Sequence, residues 1–157
     1  MRLSKLALSL TESELNTMLQ TALARMADTP EGEKLSKIKN PEVVLSGDVL
    51  CFRCKATMMG VIPVPVEAQI HLAPARDGSA IALTLKKVSM AMFGGEMAAG
   101  PLMQQLAGYI GDKPGLSVEG ATLTIALDVI SRSRGIDLTG RLNTLGVAQG
   151  ALELDFS

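Results

Sequence analysis

A chain of 157 residues with 15 basic and 16 acidic side chains, formal net charge −1, has the size of one domain and an even charge balance. That excludes the basic footprint of a nucleic-acid binder, and no stretch approaches the ~20 continuous apolar residues of a membrane span. Hydrophobic residues make up 47% but aromatic ones only 3%, with no Trp and 9 Met, so aliphatic and thioether side chains must fill the interior. Met adapts to irregular surroundings, which suits either an ordinary aliphatic core or a wall that accommodates a flexible apolar molecule.

Met1–Leu10 has the outline of a secretory leader. Its apolar run is broken by Ser9 and meets Thr11-Glu12-Ser13-Glu14 at once, short of a hydrophobic region with a cleavage site. As given, the chain reads as cytoplasmic, or as a cell-envelope protein if a leader or anchor has been removed. Lys5–Leu10 alternates with period two and predicts a strand. Thr11-Glu12-Ser13-Glu14 matches a capping box and predicts a helix from about Glu12 to Ala27. Leu15, Met18, Leu19, Ala22 and Met26 form its apolar stripe, widened by Leu23. Pro30 ends it, and a charged connector runs to Asn40-Pro41.

Long strands follow. Glu42–Ser46 leads through Gly47-Asp48 into Val49–Met59, as a hairpin or one bent strand. Val64–Leu72 alternates most clearly of all, with Pro63 and Pro65 confining its start to an edge or a bulge. Arg76-Asp77-Gly78-Ser79 predicts a type I′ hairpin turn, and the return strand sets Ile81, Leu83 and Leu85 on one face. A second helix is expected from Glu96 to Ile110, with Met97, Leu102, Met103, Leu106 and Ile110 sharing a face. Leu116–Val118, Ala121–Ile130 and Ile136–Leu142 read as extended, with Ser131–Gly135 as a turn. The alternating tail Gly150–Phe156 closes the sheet. This order predicts one α+β domain spanning residues 1–157, a long, curved antiparallel sheet wrapped around one or two amphipathic helices.

Catalytic chemistry finds little footing. Cys51 and Cys54 stand three apart in a predicted strand, so their side chains point to opposite faces and neither chelate nor bridge. His71, the single histidine, sits at a polar strand position, and no second ligand pair accompanies it. Gly94-Gly95 lacks the Lys-Ser/Thr of a phosphate loop. Lys86-Lys87 and Arg132-Ser133-Arg134 are small basic clusters whose default is solvation, with phosphate headgroup contact the alternative. No catalytic residue, metal site or cofactor is expected.

The run Leu8-Ser9-Leu10-Thr11-Glu12-Ser13-Glu14-Leu15-Asn16, with Val43-Val44-Leu45-Ser46-Gly47-Asp48-Val49 and Leu116–Ile125, resembles small bacterial proteins related to the tubular lipid-binding (TULIP) superfamily. The resemblance implies a curved sheet wrapping a helix around an apolar groove. It also implies lipid binding or transfer without catalytic residues. The expected function is therefore non-enzymatic binding of a lipid or other apolar small molecule. Met18, Leu19, Met26, Met97, Leu102, Met103 and Leu106 are the expected lining. Peripheral membrane contact and homo-oligomerisation are compatible with it. The alternative is a structural or protein-interaction domain that self-associates or docks a partner without a bound ligand.

Overall fold

Thr11 joins the first long strand to the first helix. The computed structural model describes residues 1–30, 38–58, 62–90, 95–97, 103–104, 107–108 and 110–157. After a short β1 (Arg2–Leu3), β2 spans Leu6–Thr11 and α1 spans Glu12–Met26. The Thr11 hydroxyl accepts from the Glu14 amide at 3.2 Å, and the Glu14 carboxylate accepts from the Thr11 amide at 2.8 Å. Both exposed amides are thus satisfied reciprocally, and the predicted capping box is formed.

The rest is a meander. β3 (Ile38–Ser46), β4 (Val49–Met58), β5 (Ile62–Ala75) and β6 (Ala80–Met90) pair antiparallel in sequence order. β7 (Gly95–Met97) and β9 (Thr122–Ala126) share the far side of β6, and β8 (Leu116–Glu119) closes that end. The fold is α+β and mainly antiparallel, as the patterning predicts. It is not one sheet, however. A three-stranded sheet of order β11-β12-β2, built from β11 (Leu142–Ala148), β12 (Ala151–Phe156) and β2, shares no ladder with the seven-stranded one but packs on it through β11 against β5. β1 pairs parallel with β10 (Asp137–Leu138) as a third, two-stranded sheet. The tail strand β12 lies at the centre of the second sheet, bonded to β11 and β2.

One open alternative is decided and several local expectations are corrected. Gly47 turns the chain at φ +61° and Ser46 pairs with Val49, so β3 and β4 are a hairpin rather than one bent strand. The predicted connector is strand from Ile38 onward, with a bulge between Lys39 and Glu42. The turn after β5 is a four-residue loop, because Ala75 pairs with Ala80. Arg76, Asp77 and Gly78 all take positive φ within it. The second helix does not begin at Glu96. Gly95–Met97 is strand, opposite Val88–Met90, and helical residues follow at 103–104, 107–108 and 110.

The extended run predicted through Ile130 also stops early. Ala126 pairs with Ala80, the first residue of β6, and the Leu127 amide donates to the Ser79 carbonyl at 2.9 Å. With no partner strand left, Leu127–Ser133 coils into α2, closed by Gly135 at φ +74°. Ile136–Leu142 is likewise no single strand. β10 ends at Leu138 and β11 begins at Leu142. Between them lies Gly140, where a Cβ would come within 2.6 Å of the Ser157 backbone and 2.8 Å of the Phe156 ring.

Polar side chains rather than a deep apolar seam fix α1 in place, since none of its residues is fully buried. The Asn16 amide group donates to the Val43 carbonyl at 2.8 Å and accepts from the Val43 amide at 2.7 Å. Glu12 accepts from the Leu45 amide at 2.9 Å, and Gln20 donates to the Pro41 carbonyl at 3.1 Å. Four helical residues rise ~6 Å and two strand residues ~6.7 Å, so Glu12, Asn16 and Gln20 match the outward groups of Leu45, Val43 and Pro41 in step. The helix thereby blunts the open edge of β3. Its half-buried face is Leu15, Leu19, Leu23 and Met26, while Met18 and Ala22 of the predicted stripe face solvent.

Candidate functional site

Residues opposite one another in register project to the same face of a sheet. On one face of the seven-stranded sheet this gives the row Val43–Phe52–Ala68–Val88 and the row Leu45–Leu50–Ile70–Leu85. A further row is Leu72–Leu83–Leu123–Val118. The other face carries Glu42–Arg53–Glu67–Ser89 and His71–Thr84–Thr122–Glu119. The first face is apolar throughout these rows; the second is mixed, since its row Val44–Cys51–Gln69–Lys87 carries a buried Cys51 beside its polar residues.

Keeping that division through β6 requires a bulge. Leu85 pairs with Ile70 and Lys87 with Gln69, so Lys86 is an extra residue. Leu85 and Val88, three apart in sequence, consequently share the apolar face and are both buried. The Lys86-Lys87 pair, singled out in the sequence as a basic cluster, marks this bulge, with both residues exposed.

Ala68, Leu85, Val88 and Met103 form a buried cluster on the apolar face, with Val66, Ile70, Val118 and Leu123 packed around it but only half-buried. A second cluster, Leu142, Leu145 and Phe156, gathers Leu6, Leu72, Ile81, Leu127, Leu138, Leu152 and Leu154. The surrounding apolar surface is incompletely covered.

The expected lining residues are dispersed relative to this arrangement. Met103 is 5% exposed within the sheet-face cluster. Leu19 and Met26 are half-buried on α1, which packs chiefly against β3 and β2. Met18 is 56% exposed and lines a shallow depression with Leu10, Ser13, Glu14 and Thr17. Met97 ends β7, and Leu102 and Leu106 lie outside the described residues. The sheet-face residues around Met103 were not singled out by the sequence reading. Their signal was the period-two alternation of β5 and β6, interrupted in β6 by the bulge.

A cleft of about 560 Å³ is lined by Glu42, Arg53, Lys55, Glu67 and Ser89 of the polar face together with Cys54, Val66 and Met90 of the apolar one. Among these, Arg53 Nε donates to Glu67 Oε2 at 2.8 Å, a bond that raises the Arg53 pKa. Both side chains are well exposed, 49% and 38%, so the pair is solvated and contributes little to stability. Cys51 and Cys54 are free thiols on opposite faces of β4. Burial pushes both upward, and for Cys51 the nearby Glu67 adds to this while Arg53 opposes it. Both are thus held as thiols at neutral pH, a poor state for a nucleophile or metal ligand. Among the described residues no three His, Cys, Asp or Glu side chains converge as a metal site. No helix among them is long and apolar enough to cross a membrane.

The fold and this geometry define an α+β chain whose meander presents one apolar face and one mixed, more polar face. No family model matches the chain, and no curated protein or solved structure matches it.

Proposed function

We propose that the chain is a non-catalytic binder of a lipid or similar apolar molecule, held against the apolar face of the seven-stranded sheet. In this reading the sheet curves around its helical cover at Met103 and the ligand lies between them. The observation that carries the proposal is the set of continuous apolar rows that are only partly covered, Ile70, Leu83, Leu123 and Val118 being half-buried. A flexible acyl chain fits such a lining because the contacts it makes are non-directional and proportional to area. The charged pair in the cleft, Arg53 and Glu67, is well exposed rather than buried as a catalytic pair would be.

Native mass spectrometry of protein purified without detergent is expected to show retained lipid. Protein stripped of lipid is expected to bind a fluorescent fatty acid saturably, and Leu83→Glu is expected to weaken that binding at least tenfold. A protein that retains nothing and shows no saturable binding sinks the proposal. A second reading, a self-associating interaction domain, draws on β2. Among the described residues this strand pairs with β12 alone and leaves Leu8 40% exposed, an edge suited to strand addition. Light scattering over a concentration series separates the two.

A further inference from the structure

We infer that α1 is a removable guard over a self-complementary strand edge, and that a second copy of this chain pairs with β3 when the guard is displaced. The outward groups of β3 follow from its turn. The turn Gly47-Asp48 has two residues, and Ser46 and Val49 flank it as a pair, so Ser46, Val44 and Glu42 bond inward to β4. The outward positions are then Leu45, Val43 and Pro41, the residues whose backbone groups α1 holds: the Leu45 and Val43 amides and the Val43 and Pro41 carbonyls.

These four groups have a symmetry that the helix does not need. Two donors and two acceptors are arranged about Val43 so that rotating the strand by half a turn maps each donor onto an acceptor. In an antiparallel pair centred on Val43, the two Val43 residues exchange amide–carbonyl bonds. Each Leu45 amide then meets the Pro41 carbonyl of the other copy. Proline, having no amide hydrogen, adds no donor to leave unmet. Every group that α1 satisfies within one chain is satisfied again between two, through an isologous contact of the kind that closes at a dimer. The other occupant such an edge accepts, an unrelated extended peptide, lacks this built-in match of Pro41 with Leu45.

The guard is also held lightly. No residue of α1 is fully buried, its apolar face is only half-buried, and among the described residues its hydrogen bonds to β3 come from three polar side chains. Removing two of them should release it without disturbing the β3–β4 ladder. Asn16→Ala with Gln20→Ala is therefore expected to double the 16.5 kDa mass in light scattering at micromolar to millimolar concentration. In hydrogen exchange the Val43 and Leu45 amides are expected to stay protected in the dimer. Adding Val43→Pro, which removes an outward amide and leaves the β4 bonds in place, is expected to restore the single-chain mass. If the double variant does not fold, the same comparison is made with Asn16→Ala and a synthetic peptide of residues 38–46, whose binding Val43→Pro in the peptide is expected to abolish. A released variant that keeps the single-chain mass overturns the inference. So does a dimer in which the Val43 and Leu45 amides exchange freely, or one indifferent to Val43→Pro. Lipid retention is read independently, so the binding proposal stands or falls separately.

Discussion

Two regions that meet at Thr11 are held together by different physics. On one side, α1 is fastened to β3 by directional bonds from Glu12, Asn16 and Gln20, with no fully buried residue in the helix. On the other, β2 belongs to a small sheet whose stability comes from close packing of Phe156, Leu142 and Leu145. Packing is sensitive to volume, whereas a polar ladder is sensitive to the loss of single partners and to water. The difference teaches that the second sheet is the anchor of the fold, and the helix–strand ladder is the part that can open.

Truncating the packed side should cost most. Phe156→Ala, at a ring 5% exposed, is expected to destabilise by about 3–5 kcal/mol, read by chemical denaturation. Next comes Gly78→Ala, at a buried position with φ +84° where a Cβ would lie 2.7 Å from the Leu142 carbonyl and 2.9 Å from Arg141 Cβ. Backbone strain and overlap there are expected to cost about 2–4 kcal/mol. If either substitution were neutral, the second sheet would not be the anchor.

The ladder predicts smaller and more local losses. Asn16→Ala removes both bonds to Val43 and leaves its backbone groups to water, for a loss of about 1–2 kcal/mol. The signature that identifies the ladder is faster exchange at the Val43 and Leu45 amides while those of β5 stay protected. Thr11→Ala, which removes the helix cap, should cost about 1 kcal/mol, with helical signal lost by circular dichroism.

The smallest effect is a pH dependence. Bonds from the Thr11 amide and hydroxyl hold the Glu14 pKa below the ordinary glutamate value. A depressed folded pKa means the contribution is present above the unfolded pKa and fades as pH falls through the folded one. Wild-type protein and Glu14→Gln should therefore differ at neutral pH and converge on acidification below the usual glutamate range. A gap that widens in acid would contradict the capping geometry.

How much of this was legible beforehand varies with the range of the forces involved. The capping box at Thr11 and Glu14, the helix from Glu12 and the alternation of Val64–Leu72 were readable, because each depends on neighbours within a few residues. The candidate site was legible only in part. Met103 does sit on the apolar face, yet the sheet residues around it depend on the Lys86 bulge, which preserves the pattern only when β5 lies alongside. Asn16 looked like an ordinary helix residue because its partner, Val43, is 27 positions away.

By itself the sequence determined an antiparallel α+β chain, a capped amphipathic helix and an aliphatic interior, since period, turn residues and composition act locally. Only the tertiary structure decided that the strands split into separate sheets and that Leu127–Ser133 coils where β6 runs out of residues to pair. It likewise decided that the helix beginning after Thr11 lies along a strand edge and guards it. Those outcomes are set by which backbone groups still lack a partner once the neighbouring strands are in place.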